Sequence, residues 1–322
     1  MRETWERAPQ SDVDAERVAI DTDPNVDSIE AQVLFDHLPE QAREVIGPEE
    51  RALLERIAAK DQVTHEHSLA VTELVHRVWP AFAEELQQDG ISYPAMIRAT
   101  ALHDVGKLTL PDCILKSNLQ HDDLRGLFID FCHEQPERAN ELLRAKGLLS
   151  GKRTVEELSE ATIAGLDHRD LIPLAFLYRA NPSAQAEIIS SGLDMQMTFL
   201  EALKRHEAAS QEIISGTEIP DRNLVAALAG THHNYRADSE VHYQVSNEER
   251  TLPVTAAELL HVTDIYQSMV GARRYQPSMT EADAMARLRQ MAEERILRKD
   301  VVERWVSAIR SEHPNSSAVS VS

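Results

Sequence analysis

Two adjacent pairs of metal-ligating side chains stand out among the fourteen histidines of this chain. His103 and Asp104 stand where an apolar helical pattern ends, at Gly106. His232-His233 stands where a second such pattern ends. A lone histidine is more often a structural residue, and either pair by itself also arises by chance. Neighbouring side chains on a helix diverge by about 100°, so each pair suits two ions better than one, with the carboxylate as a bridge.

The sequence that begins at the first pair resembles the signature of HD-GYP proteins, which reads HDIGK, IPD, IL and K in order. This chain reads HDVGKLTLPDCILK over 103–116. Three further segments resemble family motifs in the same order: THEHSLAV over 64–71, HEAASQEII over 206–214 and TDIYQSM over 263–269. The resemblance implies a set of metal ligands, namely His67, His103, Asp104, His206, His232, His233 and Asp264.

HD-GYP proteins belong to the HD superfamily of helical, metal-dependent phosphohydrolases, and they hydrolyse cyclic di-GMP on a centre of two or three metal ions. The resemblance covers about 61–116 and 193–290, and it implies the same fold and a signalling phosphodiesterase that acts on a cyclic dinucleotide. Asp104 would bridge two ions, and a bridging hydroxide would attack phosphorus. The cations expected to contact the phosphoryl group are Lys107, Arg273 and Arg274. Five imidazoles and two carboxylates without a thiolate favour iron or manganese over a structural zinc ion.

Two departures from the family pattern leave other activities open. After His232-His233 the chain reads NYRADS over 234–239, where the family has a DG-x-GYP loop, so the specificity for cyclic di-GMP is open. Val63 stands where three-metal members carry glutamate, which favours two ions. The alternatives are another nucleotide phosphohydrolase of the HD superfamily, a diiron oxygenase of that superfamily, or a non-catalytic signalling module.

Apolar residues recur at helical spacing along most of the chain. The pattern and the resemblance predict an all-α fold, an HD-domain helical bundle with an N-terminal helical cap and a helical insertion. Only 240–254 suggests strand, as a loop or hairpin. In the insertion, His121, His133 and His168 have no partner at ligand spacing and are interpreted as structural. The predicted order is an acidic lead-in with N-terminal helices (1–60), the first part of the HD domain (61–116), the insertion (117–192), the second part (193–295), and a C-terminal helix and tail (296–322).

The charge and composition of the chain restrict its partners. The formal net charge is −21 and no basic stripe is present, which disfavours bulk nucleic acid and favours a small phosphodiester or nucleotide drawn by cations at the site. The two cysteines lack CxxC spacing, and no apolar run approaches the roughly 18 residues of a membrane helix. These features predict a cytoplasmic protein that binds no membrane. The insertion leaves a homodimer contact open as one of its roles.

Overall fold

The computed structural model of the chain describes residues 34–117, 119, 121–233, 242–245, 248–271 and 278–312. The first helices are α1 (Glu40–Val45), α2 (Pro48–Lys60), α3 (Gln62–Gln88), α4 (Tyr93–Leu102), the 3-10 helix η1 (Val105–Thr109) and α5 (Asp112–Leu115). The middle of the chain forms α6 (His121–Glu134), α7 (Pro136–Ala145), η2 (Val155–Glu157), α8 (Glu160–Ala164), η3 (His168–Asp170), α9 (Leu174–Leu177) and α10 (Pro182–Ser190). The rest forms α11 (Phe199–Ser215), α12 (Arg222–Ala229), β1 (His242–Val245), β2 (Glu248–Thr251), α13 (Val254–Val270), α14 (Glu281–Glu293) and α15 (Lys299–Glu312).

Helices make up most of the described residues, and the predicted all-α fold is confirmed. The segment 240–254 contains an antiparallel hairpin in which His242 pairs with Thr251. No helix within the described ranges is both long and apolar enough to span a bilayer. The loop over 234–239 and the two predicted phosphate contacts, Arg273 and Arg274, lie outside the described residues.

Among the described residues, buried apolar side chains form three clusters. The largest joins α2, α3 and α4 to α12, α13, α14 and α15, and it includes the completely buried Phe82 and Trp305. A second cluster lies within the middle of the chain, around Phe128 and Phe131. The third packs α5, α9 and α10 against the start of α11. The middle helices therefore have a core of their own, and the third cluster connects it to α11.

Glu258 lies completely buried in α13, with an exposed fraction of 0%. Its carboxylate accepts a hydrogen bond from the backbone N–H of Arg298, just before α15. Burial raises the pKa of Glu258 to about 7, because a carboxylate loses hydration when it leaves water. The folded chain thus binds this proton more tightly than the unfolded chain does. The contribution of Glu258 to the free energy of unfolding is fully present below the ordinary pKa of 4.5 and is lost as the pH rises through 7.

We therefore expect Glu258→Gln to stabilise the protein at pH 8 and to have little effect below about pH 5. The amide oxygen still accepts the Arg298 hydrogen bond but carries no charge. The gain in the free energy of unfolding reaches up to about 3 kcal/mol above pH 7. Urea unfolding at several pH values measures it, with the exposed Glu55→Gln as the matched control. A gain that does not grow with pH would contradict this interpretation.

Candidate metal centre

Five parts of the fold carry the predicted ligands. His67 lies near the start of α3, His206 in the middle of α11 and Asp264 in α13. His103-Asp104 directly follows α4, and His232-His233 comes soon after α12. The structure brings these side chains together at one place, although they are spread over most of the chain. We call these seven residues the His-Asp cluster.

A close backbone contact fixes residues 103–106, which we call the HD segment, to α11. A Cβ atom at Gly106 would lie 1.9 Å from the His206 carbonyl oxygen and 2.4 Å from the Ser210 nitrogen, so this approach requires glycine. The Ser210 hydroxyl donates a hydrogen bond to the His103 carbonyl, at 2.7 Å, and accepts one from the Gly106 N–H, at 2.8 Å. The contact holds His103 and Asp104 against the helix that carries His206.

The predicted helix end at Gly106 is wrong. Helix α4 ends earlier, at Leu102, and η1 begins at Val105. Gly106 also lacks the positive φ that a glycine adopts at a helix C-terminus. Its role is the contact with α11, which no local sequence pattern reveals.

Three imidazoles of the cluster are oriented by the backbone. In each of them Nδ1 lies close to the backbone carbonyl oxygen three residues earlier. The distance is 2.7 Å for His103 and 2.6 Å for both His206 and His232. A carbonyl only accepts, so Nδ1 carries the proton and Nε2 keeps its lone pair in the neutral ring. Hydrogen bonds of this kind are typical of metal-ligating histidines, because they fix the tautomer and the ring orientation.

The two carboxylate oxygens of Asp104 face different imidazoles. Oδ1 lies 3.1 Å from Nε2 of His206 and 3.8 Å from Nε2 of His232. Oδ2 lies 3.5 Å from Nε2 of His103 and 3.9 Å from Nε2 of His67. One carboxylate therefore stands between two groups of nitrogen ligands.

Asp264 also contacts both groups. Its Oδ1 lies 2.7 Å from Nε2 of His67 and 3.9 Å from Nε2 of His103, and its Oδ2 lies 3.6 Å from Nδ1 of His233. Within three triads the ligand atoms all lie within 4.8 Å of one another: His206, His232 and His233; His67, His103 and Asp264; and His103, Asp104 and His232.

Burial favours the neutral form of three histidines of the cluster, His67, His232 and His233. It lowers the pKa of His232 well below the usual range and that of His233 to about 3. Burial also lowers the pKa of His67, against the opposing effect of the Asp264 carboxylate. Neutral imidazole is the form that binds a metal ion, so these side chains need lose no proton to serve as ligands.

The cluster carboxylates remain charged. Burial alone would raise the pKa of Asp104, but the Lys107 ammonium outweighs this effect and holds the pKa well below its usual range. Lys107 Nζ lies 2.7 Å from Asp104 Oδ2. Burial likewise opposes ionisation of Asp264, but the hydrogen bond with His67 holds its pKa well below the usual range.

The arrangement of these atoms suits a metal ion. Nε2 of His206 and Nε2 of His232 lie 3.1 Å apart although both are acceptors in the assigned tautomers. Nε2 of His103 is buried and has no hydrogen-bond partner within the part of the chain that the structure describes. Converging lone pairs and carboxylates are costly to bury without a cation among them. The His-Asp cluster can therefore hold a metal ion.

A pocket of about 490 Å³ opens on the cluster, within the size range of small-molecule sites. Lys107 lines it beside five members of the cluster, one of which is Asp104. Arg169, Lys204 and Phe199 also line this pocket, and no sequence motif had indicated them. The only sequence signal for Lys204 and Phe199 is that they share a helix with His206.

The histidines of segment 117–192 do not belong to the described metal-binding triads. His168 is buried against the Phe128 ring, with the ring centroids 5.2 Å apart. His133 is exposed on α6. The side chain of His121 lies outside the described residues.

Comparison with known protein families, with curated proteins and with solved structures finds no match for this chain. The residues and geometry of the cluster and its pocket are therefore the basis on which a function can be proposed.

Proposed function

We propose that this protein is a metal-dependent phosphodiesterase of the HD-GYP type that hydrolyses a cyclic dinucleotide, such as cyclic di-GMP. The observation that carries the proposal is the position of Asp104, whose two oxygens face separate groups of imidazoles at the pocket. A carboxylate between two groups of ligands is the arrangement that a binuclear phosphohydrolase needs. The order of the motifs along the chain supports the same activity.

The proposed cofactor is a pair of divalent ions, iron or manganese. His67, His103, Asp104 and Asp264 would hold one ion, and Asp104, His206, His232 and His233 would hold the other. The absence of thiolate from this set favours these metals over a structural zinc ion. When bound, such a pair polarises a phosphoryl oxygen and makes a water ligand acidic enough to be a nucleophile near neutral pH.

The protein side chains orient the substrate. The Lys107 ammonium lies at the pocket beside Asp104, where it can neutralise the charge that develops on the phosphoryl oxygens. Arg273 and Arg274 remain predicted phosphate contacts. Ile114, Leu115 and Phe199 supply an apolar wall, which excludes water from one side of the pocket and can contact a nucleobase.

The test is metal analysis of anaerobically purified protein, followed in the same sample by turnover of cyclic di-GMP and of bis(p-nitrophenyl) phosphate. We expect about two iron or manganese ions per chain and cleavage of the cyclic dinucleotide. Lys107→Met should lower kcat/KM by about 100-fold while it leaves the metal content unchanged, because the ammonium contacts substrate and is not a metal ligand.

Other outcomes would favour the other activities. Two ions with oxygen uptake and no phosphodiester cleavage would replace the hydrolase with a diiron oxygenase. Cleavage of a mononucleotide in place of the diesters would indicate a nucleotide phosphohydrolase. A protein that binds no metal would favour the signalling module.

A further inference from the structure

The pocket extends beyond the His-Asp cluster to a second group of side chains. Lys204 lies on α11, and Arg169 lies on η3, within the segment 117–192 that the family resemblance does not cover. Both line the pocket that the cluster opens into. We call Arg169 and Lys204 the outer basic pair.

Lys204 is a cation directed at the pocket in a strongly acidic chain. It precedes the cluster residue His206 by two positions, and Leu200, one helical turn before it, lines the same pocket. Lys204 is exposed, and among the described side chains no carboxylate forms an ion pair with it. Because the chain has a net charge of −21, its own surface repels anions except where such local cations lie.

Arg169 is oriented by a network at the junction of η3 and α11. The Asp167 carboxylate accepts hydrogen bonds from two nitrogens of the Arg169 guanidinium, at 2.9 and 2.8 Å. Lys146 donates to Asp170, at 2.7 Å, and to Glu201 near the start of α11, at 2.9 Å. This network holds η3 against α11 and thereby fixes the side of the pocket on which Arg169 lies.

An apolar wall lies along the same pocket. Phe199, Leu200 and Leu203 come from α11, and Ile114 and Leu115 come from α5. An aromatic ring or a nucleobase can pack on such a surface. The pocket thus combines a metal-binding cluster, an apolar wall and a separate pair of cations.

We propose that the outer basic pair is a subsite for a second anionic group of the substrate, with Lys204 as the main contact. The inference rests on the proposed function, since it assigns the reacting phosphate to the His-Asp cluster and Lys107. The substrate is then a phosphodiester that carries an aromatic base and a further phosphate or carboxylate. Lys204 and Arg169 determine specificity for that further anion, and they do not take part in bond cleavage.

Equilibrium binding of two matched nucleotides tests the subsite without turnover. Calorimetry in Mn²⁺-containing buffer compares deoxythymidine 3′,5′-bisphosphate with deoxythymidine 5′-monophosphate, which lacks the second phosphate. We expect the wild-type protein to prefer the bisphosphate by about tenfold, the effect of one charge-assisted hydrogen bond. Lys204→Met, which keeps the apolar stem of the side chain, should abolish the preference and leave the affinity for the monophosphate unchanged.

Arg205→Met is the matched control, because Arg205 is the exposed next residue of α11 and does not line the pocket. It removes the same charge from the chain and should retain the preference. A wild-type protein that does not distinguish the two ligands, or a preference that survives Lys204→Met, would overturn the subsite. Turnover of the p-nitrophenyl ester of deoxythymidine 5′-monophosphate is measured separately. Its absence with the preference intact would refute the phosphodiesterase and leave the subsite in place.

Discussion

We expect Asp104→Ala to lose both metal ions, because it removes a carboxylate whose two oxygens face different groups of imidazoles. Turnover should fall by at least about 1000-fold, since the metal pair supplies the nucleophile and the charge stabilisation. The variant should also lose stabilisation by metal. A ligand at 1000 times its Kd contributes about 4 kcal/mol to the free energy of unfolding, so the rise in Tm on addition of Mn²⁺ should disappear.

The measurement is metal content by mass spectrometry, together with Tm in the presence and absence of Mn²⁺. Asp89→Ala removes an exposed carboxylate at the C-terminus of α3 and should retain full metal content. Asp104→Asn keeps the shape of the side chain and one strong acceptor, so it separates loss of the bridge from loss of packing. Undiminished metal content in Asp104→Ala would refute the binuclear centre.

The second large effect is expected at Gly106, where alanine should destabilise the protein by at least about 3 kcal/mol. Its φ is not positive, so the backbone conformation itself accepts alanine. The cost comes from the added Cβ, which would lie 1.9 Å from the carbonyl oxygen of His206 and 2.4 Å from the nitrogen of Ser210. Both atoms belong to the backbone of α11, so no side-chain rotation relieves the overlap. The helix must move, and His206 moves with it away from Asp104.

Urea unfolding and metal content measure this effect, with Gly126→Ala as the control. Gly126 lies in α6 with nothing within 4 Å of an added Cβ, and it is exposed. Alanine there should stabilise the protein by about 0.5–1 kcal/mol through its higher helix propensity. If Gly106→Ala were as stable as Gly126→Ala and bound metal normally, the backbone contact would not be what positions the HD segment.

Local patterns predicted much of the helical framework. Helix α2 begins with Pro48 in its first turn and buries Leu53, Leu54 and Ile57, as the spacing of these residues indicates. Such features depend only on neighbours within a few residues, so they can be read from the chain alone. Helix α1 offers no such pattern, because it has only six residues and buries only Ala42.

The geometry of the His-Asp cluster could not be predicted from the sequence. The motif order identified the seven candidate side chains, but not which of their atoms meet. Asp264 and His67 are separated by most of the chain, and their contact follows from the packing of α13 against α3. Ser210 was missed because its role is to hydrogen-bond the backbone at His103 and Gly106, which are distant in sequence.

The sequence by itself determined the all-α fold class and the identity of the candidate ligands, because these follow from helical periodicity and motif order. Only the tertiary structure decided that Gly106 contacts α11 and that the oxygens of Asp104 face two groups of imidazoles. It alone also brought Arg169 and Lys204 to the same pocket. These facts depend on how helices far apart in the chain pack together, and the free energy of that packing is summed over many contacts that no local pattern encodes.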